Sequence, residues 1–165
     1  MTLPLAPPVL PQLARPRANL PEGEGWGYEP KWDGFRAIAF VDGDDCYLQS
    51  RNGKPLSRYF PEVSFPAGRY VIDGELVAAS FDTLGQRIHP AASRIARLAE
   101  ETPARFVAFD ALALGDDVLM TRPYEERRAV LETVEGLELT PVAHTADGAR
   151  RWLHAEEEGL SLIHI

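Results

Sequence analysis

The sequence predicts an α+β fold with a mainly antiparallel sheet and flanking helices. Two observations lead to this prediction. Apolar stretches typical of strands dominate residues 26–114, and the turn sequence Asp42-Gly43 joins the first two of them as a hairpin. Three stretches with helical spacing fall between and after the strands at irregular intervals, without the regular alternation that a parallel sheet requires.

Four strands make up the predicted sheet. The first is apolar on both faces except at Arg36, which is typical of a strand buried on both sides. The third carries Val71, Asp73 and Glu75 on one face, because successive side chains of a strand point to opposite sides. The predicted strands cover residues 35–41, 46–51, 70–79 and 105–114.

Three helices are predicted beside the sheet. The first covers residues 91–100, with Ile95 and Leu98 on its apolar side. The second begins after Thr121, whose hydroxyl is suited to cap a helix N-terminus. The third covers residues 147–158.

The distribution of proline predicts the domain organisation. Six of the 14 prolines lie within the first 21 residues, where they remove backbone donors and fix φ. We therefore expect residues 1–25 to form an extended Pro-rich leader and residues 26–160 to form one globular domain.

Composition excludes several classes of protein. Hydrophobic residues at 45% and charged residues at 25% are ordinary for a soluble globular protein, and no apolar run approaches the length of a membrane span. The N-terminus lacks the pattern of a secretory signal, and the single Cys46 excludes an internal disulfide framework. The net charge of −8 argues against a surface that binds nucleic acid everywhere. We expect a cytoplasmic protein with no membrane partner.

The most informative motif lies directly before the first long strand. Lys31, Asp33 and Gly34 place an amine, a carboxylate and a glycine within four positions. A lysine at such a place can attack an electrophilic phosphorus, provided that burial or a neighbouring cation helps it to lose its proton. Because so short a motif also arises by chance, the rest of the chain must support this interpretation.

Two further segments carry charged groups next to the strands. Arg51 lies in an Asn-Gly turn, where its guanidinium either binds a phosphate or a ribose or is simply solvated. Asp73 and Glu75 are costly to bury unless cations, donors or a metal meet them, so they either contact a sugar hydroxyl or Mg²⁺ or lie at a wet sheet edge. Gly74 between them favours close approach by a ligand.

The last segment is aromatic. Phe109 lies within an apolar strand, where a phenylalanine usually belongs to the core, and it is followed by Asp110. Only the neighbouring motifs make Phe109 a candidate platform for a flat base.

In their order along the chain, these four segments resemble motifs I, Ia, III and IIIa of the covalent nucleotidyltransferases. The resemblance is closest to the ATP-dependent DNA ligases of the small bacterial ligase C type. It implies that the α+β fold is an incomplete adenylation (nucleotidyltransferase, ATP-grasp-like) domain.

The resemblance also implies a role for each site residue. The catalytic residue is Lys31, which attacks the α-phosphate of ATP, releases pyrophosphate and holds AMP through a phosphoramide bond. Mg²⁺ or Mn²⁺ is the implied metal, with Glu75 as its ligand. The implied binding residues are Glu29 near the adenine amino group, Asp33 beside the lysine or a metal-bound water, Arg36 and Glu75 at the ribose, Phe109 stacked on the base, and Arg51 at the 5′-phosphate of a DNA nick.

In the family, AMP then passes to that 5′-phosphate and the 3′-hydroxyl displaces it, which seals the strand. The expected partners are therefore nicked or broken double-stranded DNA and end-joining repair proteins, in the bacterial cytoplasm and at the nucleoid. Two alternatives remain open: an RNA ligase or GTP-dependent capping-type nucleotidyltransferase, and a non-catalytic nucleotide-binding module.

The C-terminal part departs from the family pattern. Motifs IV and V and the OB-fold domain are expected after Trp152, but the chain ends at Ile165. Leu160 to Ile165 resembles a translated sequencing adapter, so residues 161–165 are expected to be a non-native tail; a natural apolar terminus is the alternative. A chain truncated in this way is expected to have impaired activity.

Overall fold

A computed structural model describes residues 3–16, 19–154 and 160–164 of the chain. The chain forms two compact units. The first comprises Met1–Pro11 and Gly34–Leu139, and the second comprises Gln12–Asp33 and Thr140–Ile165. Among the described residues, no helix is long and apolar enough to cross a bilayer.

A five-stranded antiparallel sheet forms the first unit. Its strands are β2 (Phe35–Gly43), β3 (Asp45–Ser50), β4 (Gly68–Val77), β5 (Arg105–Leu114) and β6 (Asp117–Val118). They lie in the order β3, β2, β4, β5, β6, which confirms the predicted mainly antiparallel sheet. The hairpin between β2 and β3 turns at Gly43, whose φ of 66° suits glycine.

The two faces of this sheet bury different clusters, because side chains alternate along β2. Ala37, Ala39 and Val41 belong to the main core. Ile38 and Phe40 belong to a smaller cluster on the other face, the outer cluster, which also contains Val71, Leu112 and Ala113. The prediction that β2 is buried on both sides is therefore confirmed.

In the described part of the first unit, a 3₁₀ turn at Ser57–Tyr59 and three α-helices accompany the sheet: α1 (Phe81–Gly85), α2 (Ala92–Glu101) and α3 (Tyr124–Glu132). Helix α2 lies within one residue of its prediction and buries Ile95 and Leu98. The predicted cap of α3 is wrong, because Pro123 and not Thr121 precedes the helix, with no side-chain capping bond. Helix α1 was not predicted, although Ser80 caps it by accepting a hydrogen bond from the Thr83 amide.

The second unit contains β1 (Tyr28–Trp32), α4 (Ala146–Arg150) and β7 (Leu160–His164). The predicted helix over residues 147–158 is shorter, because a 3₁₀ turn at Arg151–His154 follows α4; residues 155–159 lie outside the described part. Strand β7 includes four residues of the predicted non-native tail and pairs antiparallel with β1. Because such a ladder is made by backbone groups, it does not require particular side chains.

Candidate active site

Strand β1 carries Lys31 as its exposed position. Tyr28 and Glu29 are buried, at 0% and 2% exposure, whereas the Lys31 side chain is exposed to solvent. Backbone bonds of 2.8 Å in both directions join Tyr28 to Ala143, and β7 pairs with β1 along its whole length. The strand is thus held in place while its lysine remains accessible to a ligand.

The residue after Lys31 also fixes the end of this strand. The indole Nε1 of Trp32 donates a hydrogen bond of 3.0 Å to the hydroxyl of Thr140, which is 1% exposed. Asp33, the next residue, is exposed and ends the segment that belongs to the second unit. Glu29, Lys31 and Asp33 therefore lie together on one short segment of the second unit.

Gly34 of the lysine motif has a packing role in the first unit. A Cβ atom built on this residue would overlap the carbonyl oxygen of Leu76 on β4. Phe35 pairs with the same Leu76 where β2 begins. The glycine therefore permits the close approach of β2 and β4 at the point where the chain enters the sheet.

In the first unit, Arg36 is held by a buried carboxylate. Its Nε and Nη2 each donate a hydrogen bond of 2.6 Å to Asp73, one to each carboxylate oxygen. The Asp73 side chain is 4% exposed and that of Arg36 is 20% exposed. This fork is the bidentate geometry in which guanidinium and carboxylate bind most strongly.

Burial and ion pairing have opposite effects on the charges of Asp73 and Arg36. Burial raises the pKa of the Asp73 carboxyl, and the hydrogen bonds and charge of Arg36 oppose that rise. Burial acts to lower the pKa of Arg36, but the hydrogen bond and charge of Asp73, together with the charges of Glu75 and Asp110, outweigh burial, so the pKa is raised. Arg36 therefore stays charged. Of the partners that were expected to meet a buried carboxylate on β4, namely cations, donors or a metal, Asp73 has a cation, Arg36. The alternative of a wet sheet edge is wrong for Asp73, which is buried on a strand between β2 and β5.

Phe109 lies beside this pair at an irregularity of the sheet. Asp73 pairs with Asp110 and Gly74 pairs with Ala108, so Phe109 is an extra residue on β5. A bulge of this kind re-aims a side chain. The half-buried ring of Phe109 lies 4.8 Å from the guanidinium carbon of Arg36, measured to the ring centroid. Arg36 and Phe109, which were predicted as separate ligand contacts, thus lie together.

Helix α3 supports the other side of this bulge. The Nε of Arg127 donates a hydrogen bond of 2.9 Å to Asp110, and its Nη1 donates one of 2.6 Å to the carbonyl of Arg122. Two ion pairs, Arg127 with Asp110 and Arg36 with Asp73, are therefore neighbours, because Asp73 and Asp110 lie opposite each other in the β4–β5 ladder. Sequence reasoning missed Arg127, whose only local signal was its place in an arginine-rich helix.

The next two residues of β4 are Gly74, which has a packing role, and Glu75, which is partly exposed. Glu75 is half-buried and pairs with Arg36 in the β2–β4 ladder. The interpretation of Gly74 as room for a ligand is wrong, because a Cβ there would overlap the carbonyl oxygen of Val107 and lie 2.5 Å from the ring of Phe106. This glycine makes room for the neighbouring strand.

Arg51 lies in the exposed turn that follows β3. The turn is closed by a bond of 3.0 Å from the Gly53 amide to the carbonyl oxygen of Ser50. Gly53 has a φ of 81°, which favours glycine. Arg51 is thus presented to solvent on a well-defined turn, as the Asn-Gly sequence predicted.

The fold is similar to that of known nucleotide-dependent ligases. A solved structure of mycobacterial DNA ligase D in complex with ATP and MES superposes with a TM-score of 0.63 at 25% identity, covering 84% of this chain and 47% of that one. The α+β architecture with its antiparallel sheet is therefore that of an ATP-dependent ligase adenylation domain.

Sequence comparisons define the family. The profile described as ATP dependent DNA ligase domain matches residues 11–160. DNA ligase C2 of Mycolicibacterium smegmatis is 49% identical over 98% of this chain and 49% of its own length. DNA ligase C of Mycobacterium tuberculosis is 47% identical over 98% of this chain and 50% of its own length. The chain belongs to the ATP-dependent DNA ligase family, and it spans about half the length of these curated relatives.

Proposed function

We propose that this chain is the nucleotide-activating part of an ATP-dependent DNA ligase, with Lys31 as the residue that accepts AMP. The observation that carries the proposal is the exposed Lys31 on an otherwise buried β1, within a segment matched by the ligase domain profile. An amine presented on a fixed strand can meet a phosphate with little loss of conformational freedom.

The proposed step is nucleotidyl transfer to nitrogen. The Nζ of Lys31, after losing a proton, attacks the α-phosphorus of ATP. A nitrogen–phosphorus bond forms as the bond from that phosphorus to the bridging oxygen breaks, and pyrophosphate leaves. Positioning and neutralisation of phosphate charge supply most of the catalysis in reactions of this kind. Asp33 is proposed to orient the amine, since it is exposed and two residues away in the chain.

The other residues are proposed to hold the nucleotide. Phe109 offers a half-buried ring for the base, and Arg36, fixed by Asp73, contacts the ribose together with Glu75. Glu29, which is 2% exposed, selects the adenine amino group by accepting a hydrogen bond from it. A preset arginine loses little entropy when it binds, which favours this assignment.

A divalent metal fits the carboxylates only in combination with phosphates. No group of three or more His, Cys, Asp or Glu residues in the described part of the chain could hold a metal ion. Mg²⁺ usually takes one or two carboxylates together with substrate phosphates and water, so the half-buried Glu75 is suited to be one ligand among several. A bound Mg²⁺ or Mn²⁺ would supply charge neutralisation at the phosphates.

For the whole ligase we propose the sealing of nicked or broken double-stranded DNA in the bacterial cytoplasm. AMP passes from Lys31 to the 5′-phosphate of the nick, and the 3′-hydroxyl then displaces it. Arg51, on its exposed turn, is proposed to bind that 5′-phosphate, for which a guanidinium is well matched.

The test is covalent labelling of the chain. ATP labelled at the α-phosphate is incubated with the protein and Mg²⁺ or Mn²⁺, and the denatured protein is separated by electrophoresis. We expect label from ATP and none from GTP. Lys31→Ala should lose it completely, whereas Lys54→Ala, which changes the other of the two lysines, should keep it. Label from GTP, or equal label in Lys31→Ala, would contradict the proposal; ATP binding without label would favour a non-catalytic module.

A further inference from the structure

The start of the chain packs on the sheet. Leu3, Leu5 and Val9 lie against the outer cluster of the first unit, next to β3. We call residues 3–9 the strap. In this segment the structure describes neither a helix nor a strand, so the strap is held by side chains and not by a regular ladder.

One side chain fastens the strap to the sheet. Gln49 of β3 is 0% exposed. Its Oε1 accepts a hydrogen bond of 2.7 Å from the Val9 amide, and its Nε2 donates one of 2.7 Å to the Val9 carbonyl oxygen. The carboxamide therefore satisfies both backbone groups of Val9, as a neighbouring strand would. Leaving such groups buried and unpaired would be costly.

The same carboxamide reaches the turn that carries Arg51. Its Nε2 also donates a hydrogen bond of 3.2 Å to the carbonyl oxygen of Ser50, which is the oxygen that accepts the turn-closing bond from Gly53. The strap also lies close to this turn, because a Cβ added to Gly53 would be 3.1 Å from the Cβ of Pro8. The strap and the turn are thus linked through Gln49 and are also near neighbours at Pro8 and Gly53.

We propose that Gln49 is a positioning residue for Arg51: by clamping the strap, it holds the turn at residues 50–54 in the shape that presents Arg51 to a phosphate. This inference rests on the proposed role of Arg51 at a DNA 5′-phosphate. A buried glutamine that served packing alone would not need to share its donor with the turn carbonyl. The clamp therefore links the first residues of the chain to phosphate recognition.

The test combines two measurements on four variants; three are described first, and Arg51→Ala is added in the second measurement. Gln49→Met keeps the length and volume of the side chain but removes both partners of Val9. Leu112→Ala is the matched control, since it weakens the outer cluster on which the strap packs and keeps the hydrogen-bonding groups of Gln49. Pro8→Gly removes the proline ring that faces Gly53 at an exposed position and also frees the backbone next to Val9, so it loosens the strap without changing Gln49.

Hydrogen exchange of the Gly53 and Lys54 amides measures the turn itself. Both amides are donors within the turn, to the Ser50 carbonyl oxygen and to the Ser50 hydroxyl. We expect exchange to be at least tenfold faster in Gln49→Met than in Leu112→Ala, with a smaller increase in Pro8→Gly. Equal rates in Gln49→Met and Leu112→Ala would overturn the inference.

The second measurement is the affinity for nicked duplex DNA with a 5′-phosphate relative to the same duplex with a 5′-hydroxyl. We expect the wild type to prefer the phosphate, Arg51→Ala to lose this preference, Gln49→Met to lose at least half of it, and Leu112→Ala to keep it. A preference unchanged in Gln49→Met overturns only the positioning role. No preference in the wild type overturns the proposed function of Arg51, and the exchange rates would then still report on the clamp.

Discussion

Two arginines of the first unit, Arg36 and Arg51, were predicted to bind parts of a nucleotide or of DNA. They differ in their burial and in the contacts of their guanidinium groups. Arg36 donates two hydrogen bonds to the buried carboxylate of Asp73, and its guanidinium lies over the ring of Phe109. Arg51 is exposed on a turn of five residues. The difference separates two ways of presenting a guanidinium: a fixed group suits a nucleotide in a formed pocket, and an exposed group suits a phosphate that arrives on a large partner.

The largest expected effect is the removal of the carboxylate that fixes Arg36. Asp73→Ala leaves a mostly buried charge without its partner, so the free energy of unfolding should fall by about 3 kcal/mol. Urea unfolding followed by far-UV circular dichroism measures this change. Tryptophan fluorescence would report on the second unit, because Trp26, Trp32 and Trp152 all lie there.

Asp116→Ala is the control for Asp73→Ala. It breaks the ion pair of 2.6 Å with Arg69, in which the Asp116 side chain is 86% exposed. A loss below about 1 kcal/mol is expected for so exposed a pair. If both variants lost the same amount, the claim that Arg36 is structurally fixed would be wrong.

Substitution of the glycines next to the two arginine sites, Gly74 near Arg36 and Gly53 near Arg51, should lower the free energy of unfolding by an intermediate amount. Gly74→Ala forces a methyl group into the Val107 carbonyl and the Phe106 ring, which should cost about 2–3 kcal/mol. Gly53→Ala strains a turn with φ of 81° and brings a methyl group 3.1 Å from the Cβ of the exposed Pro8, at a cost of about 1 kcal/mol. Thermal unfolding of both variants tests the order, and a larger loss in Gly53→Ala would contradict it.

The smallest effects should come from changing the arginines to lysine. Arg36→Lys loses the fork to Asp73 and should lower the free energy of unfolding by about 1–2 kcal/mol, close to the net worth of one charged hydrogen bond. Arg51→Lys should change it by less than about 0.5 kcal/mol, since the position is exposed. Equal losses in the two variants, measured by urea unfolding, would remove the distinction between the regions.

The strong strands were predictable because their apolar pattern is local. Strand β5 has its predicted bounds, and β2, β3 and β4 differ by one or two residues at their ends. Strand β1 was missed because Pro30 and the charged residues around it do not follow a strand pattern, and its pairing with Ala143 and β7 joins distant parts of the chain.

The sequence allowed the candidate site residues to be selected by type, but it did not show which of them contact each other. The need of Asp73 for a cation followed from the cost of burying a carboxylate, yet only the β2–β4 register places Arg36 within reach. Similarly, nothing local to Arg87 distinguishes it from exposed arginines. The structure buries it completely, with an ion pair of 2.5 Å to Glu62, because the chain folds back over 25 residues.

The clamp between Val9 and Gln49 spans 40 residues, which has a consequence for synthesis of the chain. Ribosomes add about 5–20 residues per second, so Val9 waits about 2–8 seconds before its partner has been made. During that interval β3, the strand beside which the apolar side chains of the strap later pack, has not yet been synthesised. A fusion partner attached to the N-terminus therefore begins to fold before the strap can dock, and its linker must leave that late step room to occur.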